Sequence, residues 1–399
     1  MITIGGYGTL VAASLVLLFG RVLVEKTAPL KAFTIPEPVA GGLVVALLML
    51  LAQQVAGFTV KFDTSLQTPL MLAFFATIGL SANLASLKAG GSVMIKFLGV
   101  VLGLLIMQNV IGISLAKLLG LEGHLGLLAG SITLSGGHGT GAAWSSVFSE
   151  RFGIQGATEL AMACATFGLV LGGLIGGPVA KFLMRKVNAP GASHNQDQAP
   201  TGFEEPQATR LITVNSFIES LALIALSLAG GQMLSETLAG SAFELPTFVC
   251  VLFIGVLLRN VLGGLGWYQV FEREISVLGN VSLALFLAMA LMTLRLWELA
   301  HLALPILLIL SVQAVAMAAY AIFVTFRVMG KNYDAVVLAA GHCGFGLGAT
   351  PTAIANMQAV THRFGPSHLA FIVVPMVGAF FIDIANAIVI KLFMALPIY

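Results

Sequence analysis

The chain has 399 residues, of which 58% are hydrophobic and 9% charged, and its formal net charge is +2. A soluble domain carries about 25% charge, so a chain of mean hydropathy +1.00 cannot cover itself in water and reads as a polytopic membrane protein. Thinly spread charge excludes nucleic acid as a partner, and three cysteines set in apolar stretches, Cys164, Cys250 and Cys343, argue against a disulfide framework or a thiolate metal site.

Windows of about 20 apolar residues mark spans. They predict helices near 4–22, 36–56, 68–87, 97–117 and 157–180, and again near 211–230, 244–262, 275–294, 302–326 and 367–392. Met1 to Gly20 holds no Lys or Arg, so the first stretch reads as a spanning helix and not a signal peptide. The polar stretch 188–209, with Pro190, Pro200 and Pro206, reads as a linker. It divides the chain into 1–187 and 210–399.

Each part contains a glycine-rich block between its fourth and fifth spans. The first, in 124–150, reads Ser135-Gly-Gly-His-Gly-Thr-Gly-Ala142; the second, in 334–362, reads His342-Cys-Gly-Phe-Gly-Leu-Gly-Ala-Thr-Pro351. Glycine costs about 1 kcal/mol relative to alanine in a helix interior. Broken backbone inside a membrane is tolerated only where protein buries it or it lines a wet cavity. A matched pair of such breaks points to a transporter binding site.

The two parts correspond beyond these blocks. Gly137 matches Gly344 at an offset of 207 residues, Gln108 matches Gln313, and Arg-Phe-Gly recurs at Arg151 and Arg363. Proline-containing entries, Ile35–Pro38 and Glu244–Pro246, open the second span of each. This is a duplication. Five spans per repeat is an odd number, so the second repeat is inverted. The basic residues Arg21, Lys26, Lys31, Lys88, Lys96, Lys181, Arg185, Lys186, Arg210, Arg327 and Lys331 then share the cytoplasmic side, as the positive-inside rule asks. Lys61, Lys117 and Lys391 are minor exceptions. Both termini fall outside, and each block becomes a re-entrant hairpin, the first entering from outside and the second from inside.

Helix starts at the hairpin tips would offer unpaired N–H groups and about half a positive charge to an anion. Thr350-Pro351 reads as an N-cap followed by a first-position proline, and Thr140 or Gly141 opens the other helix. The candidate substrate residues are Ser135, Gly136, Gly137, His138, Gly139, Thr140 and Gly141, with Gly344, Gly346, Gly348, Ala349 and Thr350. Close helix packing is the alternative role for these glycines, and it is the preferred one for the Gly172–Gly177 stretch. Gln108, Asn109, Gln313, Asp383 and Asn386 are polar residues at mid-span, where polar groups are functional by default. Asp383 could hold an ammonium group or, with hairpin-tip carbonyls, a sodium ion. His138 and His342 read as structural. Arg151 and Arg363 lie roughly 15 and 22 Å from the tips at the helical rise and read as snorkelling anchors. A Cys343–His342 nucleophile pair and a channel are weaker readings, since no acid orients the histidine and no repeated filter ring is present.

The runs Leu134–Trp144, Gly341–Ala353, Thr34–Gly42 and Pro69–Gly79 resemble those of the bacterial sodium/glutamate symporters, over almost the whole chain. That resemblance implies an all-α polytopic membrane protein of two inverted repeats, each of five transmembrane helices and one re-entrant hairpin, working as an elevator. It also implies sodium-driven glutamate uptake across the inner membrane by a homodimer embedded in the lipid bilayer, with sodium as the co-transported ion and no other cofactor.

Overall fold

The computed structural model describes residues 2–32, 35–56, 60–85, 91–187, 212–241, 244–294 and 302–397, so the linker 188–209 lies outside the described residues. The principal helices of the first half are α1 (Gly6–Lys26), α2 (Glu37–Ala56), α3 (Gln67–Ser81), α4 (Gly91–Leu118), α5 (Gly123–Leu127), α6 (Gly137–Phe152) and α7 (Ala157–Met184). Those of the second are α8 (Val214–Leu238), α9 (Thr247–Gly264), α10 (Glu272–Met292), α11 (Ala303–Tyr320), α12 (Tyr333–Leu347), α13 (Thr350–Phe364), α14 (His368–Met376) and α15 (Ile382–Met394). Wider, π-type turns continue α5 through Leu128–Ile132 and α11 through Ala321–Thr325, and join α14 to α15 through Val377–Phe381.

Eight helices among the described residues are long and apolar enough to cross a membrane, and the pair α14–α15, bent by 46°, is a ninth if it counts as one span. The helices fall where the apolar windows put them, with one shortened. The window 68–87 yields only the 15 residues of α3, because the backbone leaves the helix at Ala82 (φ −78°, ψ 89°). The architecture is helical with one addition: β1 (Ile2–Ile4) and β2 (Val60–Phe62) form a two-stranded parallel pair, Ile2 opposite Val60.

Two compact units make up the chain, and they are not the two sequence halves. The first comprises Met1–Asn83, His138–Cys164 and Val214–Leu307. It combines α1, α2 and α3 with α8, α9 and α10, the same three spans of each half. Small residues let these backbones approach closely. On α9, a Cβ added to Gly255 would stand 2.8 Å from the Ala76 carbonyl oxygen of α3, and one on Gly79 of α3 would overlap the Leu252 carbonyl of α9. Around this seam Ala76, Leu80, Leu223, Val251 and Ile275 are buried together. Ala13 and Val16 of α1 pack with Ala288, Met289 and Met292 of α10. On α6, Trp144 stands edge-on to Phe248 at 5.4 Å between centroids. Arg151, read as a snorkelling anchor, is half-exposed and pairs with Glu244 (Nη1 to Oε1, 2.7 Å), an acid 93 residues away that only the fold brings near.

The second unit comprises Leu84–Gly137, Ala165–Thr213 and Leu308–Tyr399. Here α12 and α13 double back on each other. A Cβ on Gly344 would overlap the backbone of Ala353, one on Gly341 would stand 2.9 Å from Met357 Sδ, and Asn356 Nδ2 donates to the Ala340 carbonyl (3.3 Å). Each arm has 15 residues, about 22 Å of helix, which is short of a hydrocarbon core of about 30 Å. The arms lean on α7, where Asn356 Nδ2 also donates to the Gly172 carbonyl (2.8 Å). A Cβ on Gly172 would lie 3.0 Å from the Gly344 carbonyl oxygen, and one on Gly176 would overlap the Asn356 side chain. The packing role expected for that glycine stretch holds at these two positions.

Candidate functional site

Within the second unit several helices lose their regular backbone, α11 at its π-type turn among them. Gly130 interrupts the first hairpin block with non-helical angles (φ −106°, ψ −138°). Gly348 (φ −141°, ψ −98°) ends α12, and the π-type turn at Val377–Phe381 bends the last span. Gly137, which opens α6, adopts a left-handed φ of 68°, a conformation that glycine takes without penalty. Its pro-Cβ position lies 3.6 Å from the Gly348 carbonyl oxygen. The breaks of the two blocks therefore meet inside one unit.

Side chains from α4 tie these breaks together. Gln108 Nε2 donates to the Gly346 carbonyl (2.6 Å). Ser135 Oγ lies within hydrogen-bond reach of Gln108 Oε1 (2.7 Å) and of the same Gly346 carbonyl (3.1 Å). Gln313, the repeat-mate of Gln108, donates Nε2 to the Gln108 backbone carbonyl (2.7 Å) and to that of Ala129 (3.3 Å). Asn109 Oδ1 accepts from the Ser131 N–H (2.9 Å), and Asn386 Nδ2 donates to the Ser131 carbonyl (2.8 Å). Three of the five polar residues read as mid-span groups, Asn109, Gln313 and Asn386, thus converge on the broken segment 129–131, while the Gln108 side chain reaches Gly346 and Ser135. Asp383 lies one turn before Asn386, half-buried, and makes no side-chain hydrogen bond or ion pair among the described residues.

The network is incomplete. Asn109 Nδ2, Ser131 Oγ, Gln313 Oε1 and Asn386 Oδ1 are buried with no hydrogen-bond partner among the described residues. An unsatisfied buried polar group costs about 1–3 kcal/mol, so four around one turn is a costly arrangement unless something else meets them. No three His, Cys, Asp or Glu side chains gather as a metal-binding group among the described residues. Three of these four atoms are amide or hydroxyl oxygens, which suit a hard cation, and the fourth, Asn109 Nδ2, is a hydrogen-bond donor.

Several sequence expectations shift by a few residues. The helix after the first motif begins at Gly137 and not at Thr140 or Gly141, because glycine itself takes the strained turn. The N-cap of α13 is Ala349, with Thr350 already helical; Thr350 Oγ1 donates to the Gly378 carbonyl (2.9 Å) and so cannot cap. Gly139 and Gly346 sit in helix interiors against side chains. A Cβ would stand 2.7 Å from Phe74 Cε1 at the former and 2.8 Å from Leu104 Cδ2 at the latter. The glycines at the breaks are Gly137 and Gly348. Ser135, Gly136, Gly137, Gly344, Gly346, Gly348, Ala349 and Thr350 belong to the second unit, whereas His138, Gly139, Thr140 and Gly141 belong to the first.

His342 is fully buried among the rings of Phe97, Tyr320 and Phe345, and its Nδ1 pairs with Thr325 Oγ1 (2.9 Å), not with its neighbour Cys343. Sequence reasoning missed Ser131 and Asn356. Asn356 could have been suspected as an amide in an arm of an apolar hairpin; Ser131 carries no such signal.

The sodium/glutamate symporter family model matches residues 2–366. Sodium/glutamate symporters of Escherichia coli (strain K12) and Shigella flexneri are each 68% identical over 391 residues, covering 98% of this chain and 98% of theirs. That of Haemophilus influenzae is 56% identical over 391 residues, covering 98% of this chain and 97% of its own. Among solved structures, a sodium proton antiporter from Methanocaldococcus jannaschii covers 97% of each chain at 14% identity and a TM-score of 0.42.

Proposed function

The chain belongs to the sodium/glutamate symporter family, and on that premise we propose that it carries glutamate together with sodium across the bacterial inner membrane by alternating access. The observation that carries this reading is the meeting of the two glycine breaks, Gly137 beside Gly348, in a unit that also holds Gln108, Gln313 and Asn386. The start of α13, at Thr350, turns the positive end of a helix dipole toward a substrate carboxylate, while the Ala349 N–H is held by the Gly344 carbonyl (3.2 Å). The turn Ser135–Gly137 leads into the start of α6 at Gly137, a second helix N-terminus. Glutamate has a second carboxylate for it. The work is binding and movement, not bond breaking, and the His342–Thr325 pair is structural.

The finer features follow from the same reading. Apart from α6, which falls in the first unit while its counterpart α13 falls in the second, each compact unit draws matching spans from both halves, and this supports two repeats, 1–187 and 210–399, inverted by their odd number of spans. The unit bearing the breaks is the one that moves in an elevator cycle, and both termini are periplasmic. A homodimer is the assembly that the resemblance implies.

Purified protein in proteoliposomes tests the proposal. An inward sodium gradient should drive saturable accumulation of glutamate, and a potassium gradient of the same size should not. Equal uptake under both gradients, or none under either, would remove the symport reading.

A further inference from the structure

We propose that Ser131 Oγ, Gln313 Oε1 and Asn386 Oδ1 form the cradle of the co-transported sodium ion. The inference rests on the symport reading above and deepens it by moving the cation away from the hairpin-tip carbonyls. The Gly346 carbonyl at the second tip is already engaged by Gln108 Nε2 and lies within hydrogen-bond reach of Ser135 Oγ. An oxygen facing one or two donors is a poor cation ligand.

The three proposed oxygens are in the opposite situation. Gln313 and Asn386 each commit their amide nitrogen to backbone carbonyls of the broken segment, Ala129 and Ser131. Those donations fix which end of each amide is oxygen. Both oxygens are left buried and without a donor, as is the Ser131 hydroxyl oxygen. All three belong to residues no more than 1% exposed. Ser131 therefore has its backbone N–H held by Asn109, its carbonyl held by Asn386, and its side chain held by nothing. A serine inside a helix ordinarily turns its hydroxyl onto the carbonyl one turn back; this one does not. Oxygens from an unwound segment and from crossing helices are the donor set a transported alkali cation requires. Asp383, one turn before Asn386 on α15, puts a carboxylate in the same region to balance the charge.

The test uses full-length protein in detergent, without glutamate, following thermal unfolding against sodium chloride with choline chloride holding ionic strength constant. Wild type should be stabilised saturably by sodium. Ser131→Ala removes an atom that bonds to nothing, so its melting temperature in choline should equal that of wild type. Its half-saturating sodium concentration should rise about tenfold or more. An unchanged half-saturation would overturn the cradle. So would equal stabilisation of wild type by sodium, potassium and choline, which would mean that the oxygens hold only water. If Ser131→Ala fails to fold, Ser131→Cys decides: it keeps the shape of the side chain and replaces a hard oxygen by a soft sulfur, so half-saturation should again rise, and an unchanged value counts against the cradle. Glutamate uptake measured in parallel separates the two readings. Sodium-driven uptake with no shift in Ser131→Ala overturns the cradle alone. A shifted sodium dependence in a protein that takes up no glutamate overturns the symport reading alone.

Discussion

Replacing Gly137 separates the two roles that its position can serve. Its φ of 68° lies in the left-handed region, where a residue with a Cβ is penalised by roughly 1–2 kcal/mol and asparagine by less. The space itself is not prohibitive: a Cβ would meet only the Gly348 carbonyl oxygen at 3.6 Å, an ordinary contact. Gly137→Ala should therefore destabilise the protein by about 1–2 kcal/mol, a factor of about 5–30 in the folded-to-unfolded ratio, entirely through the backbone. Gly137→Asn should recover most of that loss. Glutamate affinity should follow a different order. If substrate backbone contacts form at this break, alanine narrows it and asparagine fills it, so the Asn variant should bind glutamate at least tenfold more weakly, about 1.4 kcal/mol. Thermal unfolding and the half-saturation of uptake, measured on the same preparations, give the two orders. An asparagine variant as stable as expected and with wild-type affinity would refute the argument that Gly137 lines the substrate site.

Gly139→Val and Gly346→Val should each lower thermal stability by about 1–3 kcal/mol, because their Cβ positions are already contested by Phe74 and by Leu104 and Met317; the surviving fraction should keep its glutamate affinity, and a loss of affinity without loss of stability would reverse this. Asp383→Asn should abolish sodium-driven accumulation while leaving the melting temperature in choline unchanged, and normal sodium dependence would reduce Asp383 to a structural acid. Gln108→Leu removes the amide bond to Gly346 and should cost about 1–3 kcal/mol of stability, read as a lowered melting temperature. A cysteine at Gln196, in a background stripped of the three native cysteines, should label only from the cytoplasmic side, and labelling in intact cells would overturn the orientation.

Long apolar windows made most helices legible, as in α2 and α7, because twenty hydrophobic residues leave little choice of structure in a bilayer. The breaks were legible as regions but not as residues. Glycine is tolerated both in a tight helix contact and at a broken turn, so alternation alone could not tell Gly139 and Gly346, which pack, from Gly137 and Gly348, which break. Gln108 and Gln313 stood out because an amide in mid-span is rare. Ser131 did not, since a serine hydroxyl can satisfy itself on its own helix, and only the structure shows that this one has not. The pairing of Arg151 with Glu244 depends on which helices meet, and no local pattern encodes that.

The three π-type turns, Leu128–Ile132, Ala321–Thr325 and Val377–Phe381, all lie in the second unit, and none occurs among the described residues of the first. Such a turn holds one residue more than an α-turn, so everything beyond it is rotated by about 100° about the helix axis. The insertion at Val377–Phe381 thereby sets the phase of α15, and Asn386 reaches Ser131 only in that phase. Deleting a single residue from 377–381 would change no side chain beyond it, and would turn Asn386 away from the broken segment. A bundle of apolar helices can in this way acquire a polar focus by gaining residues one at a time, each a change of azimuth and not of composition.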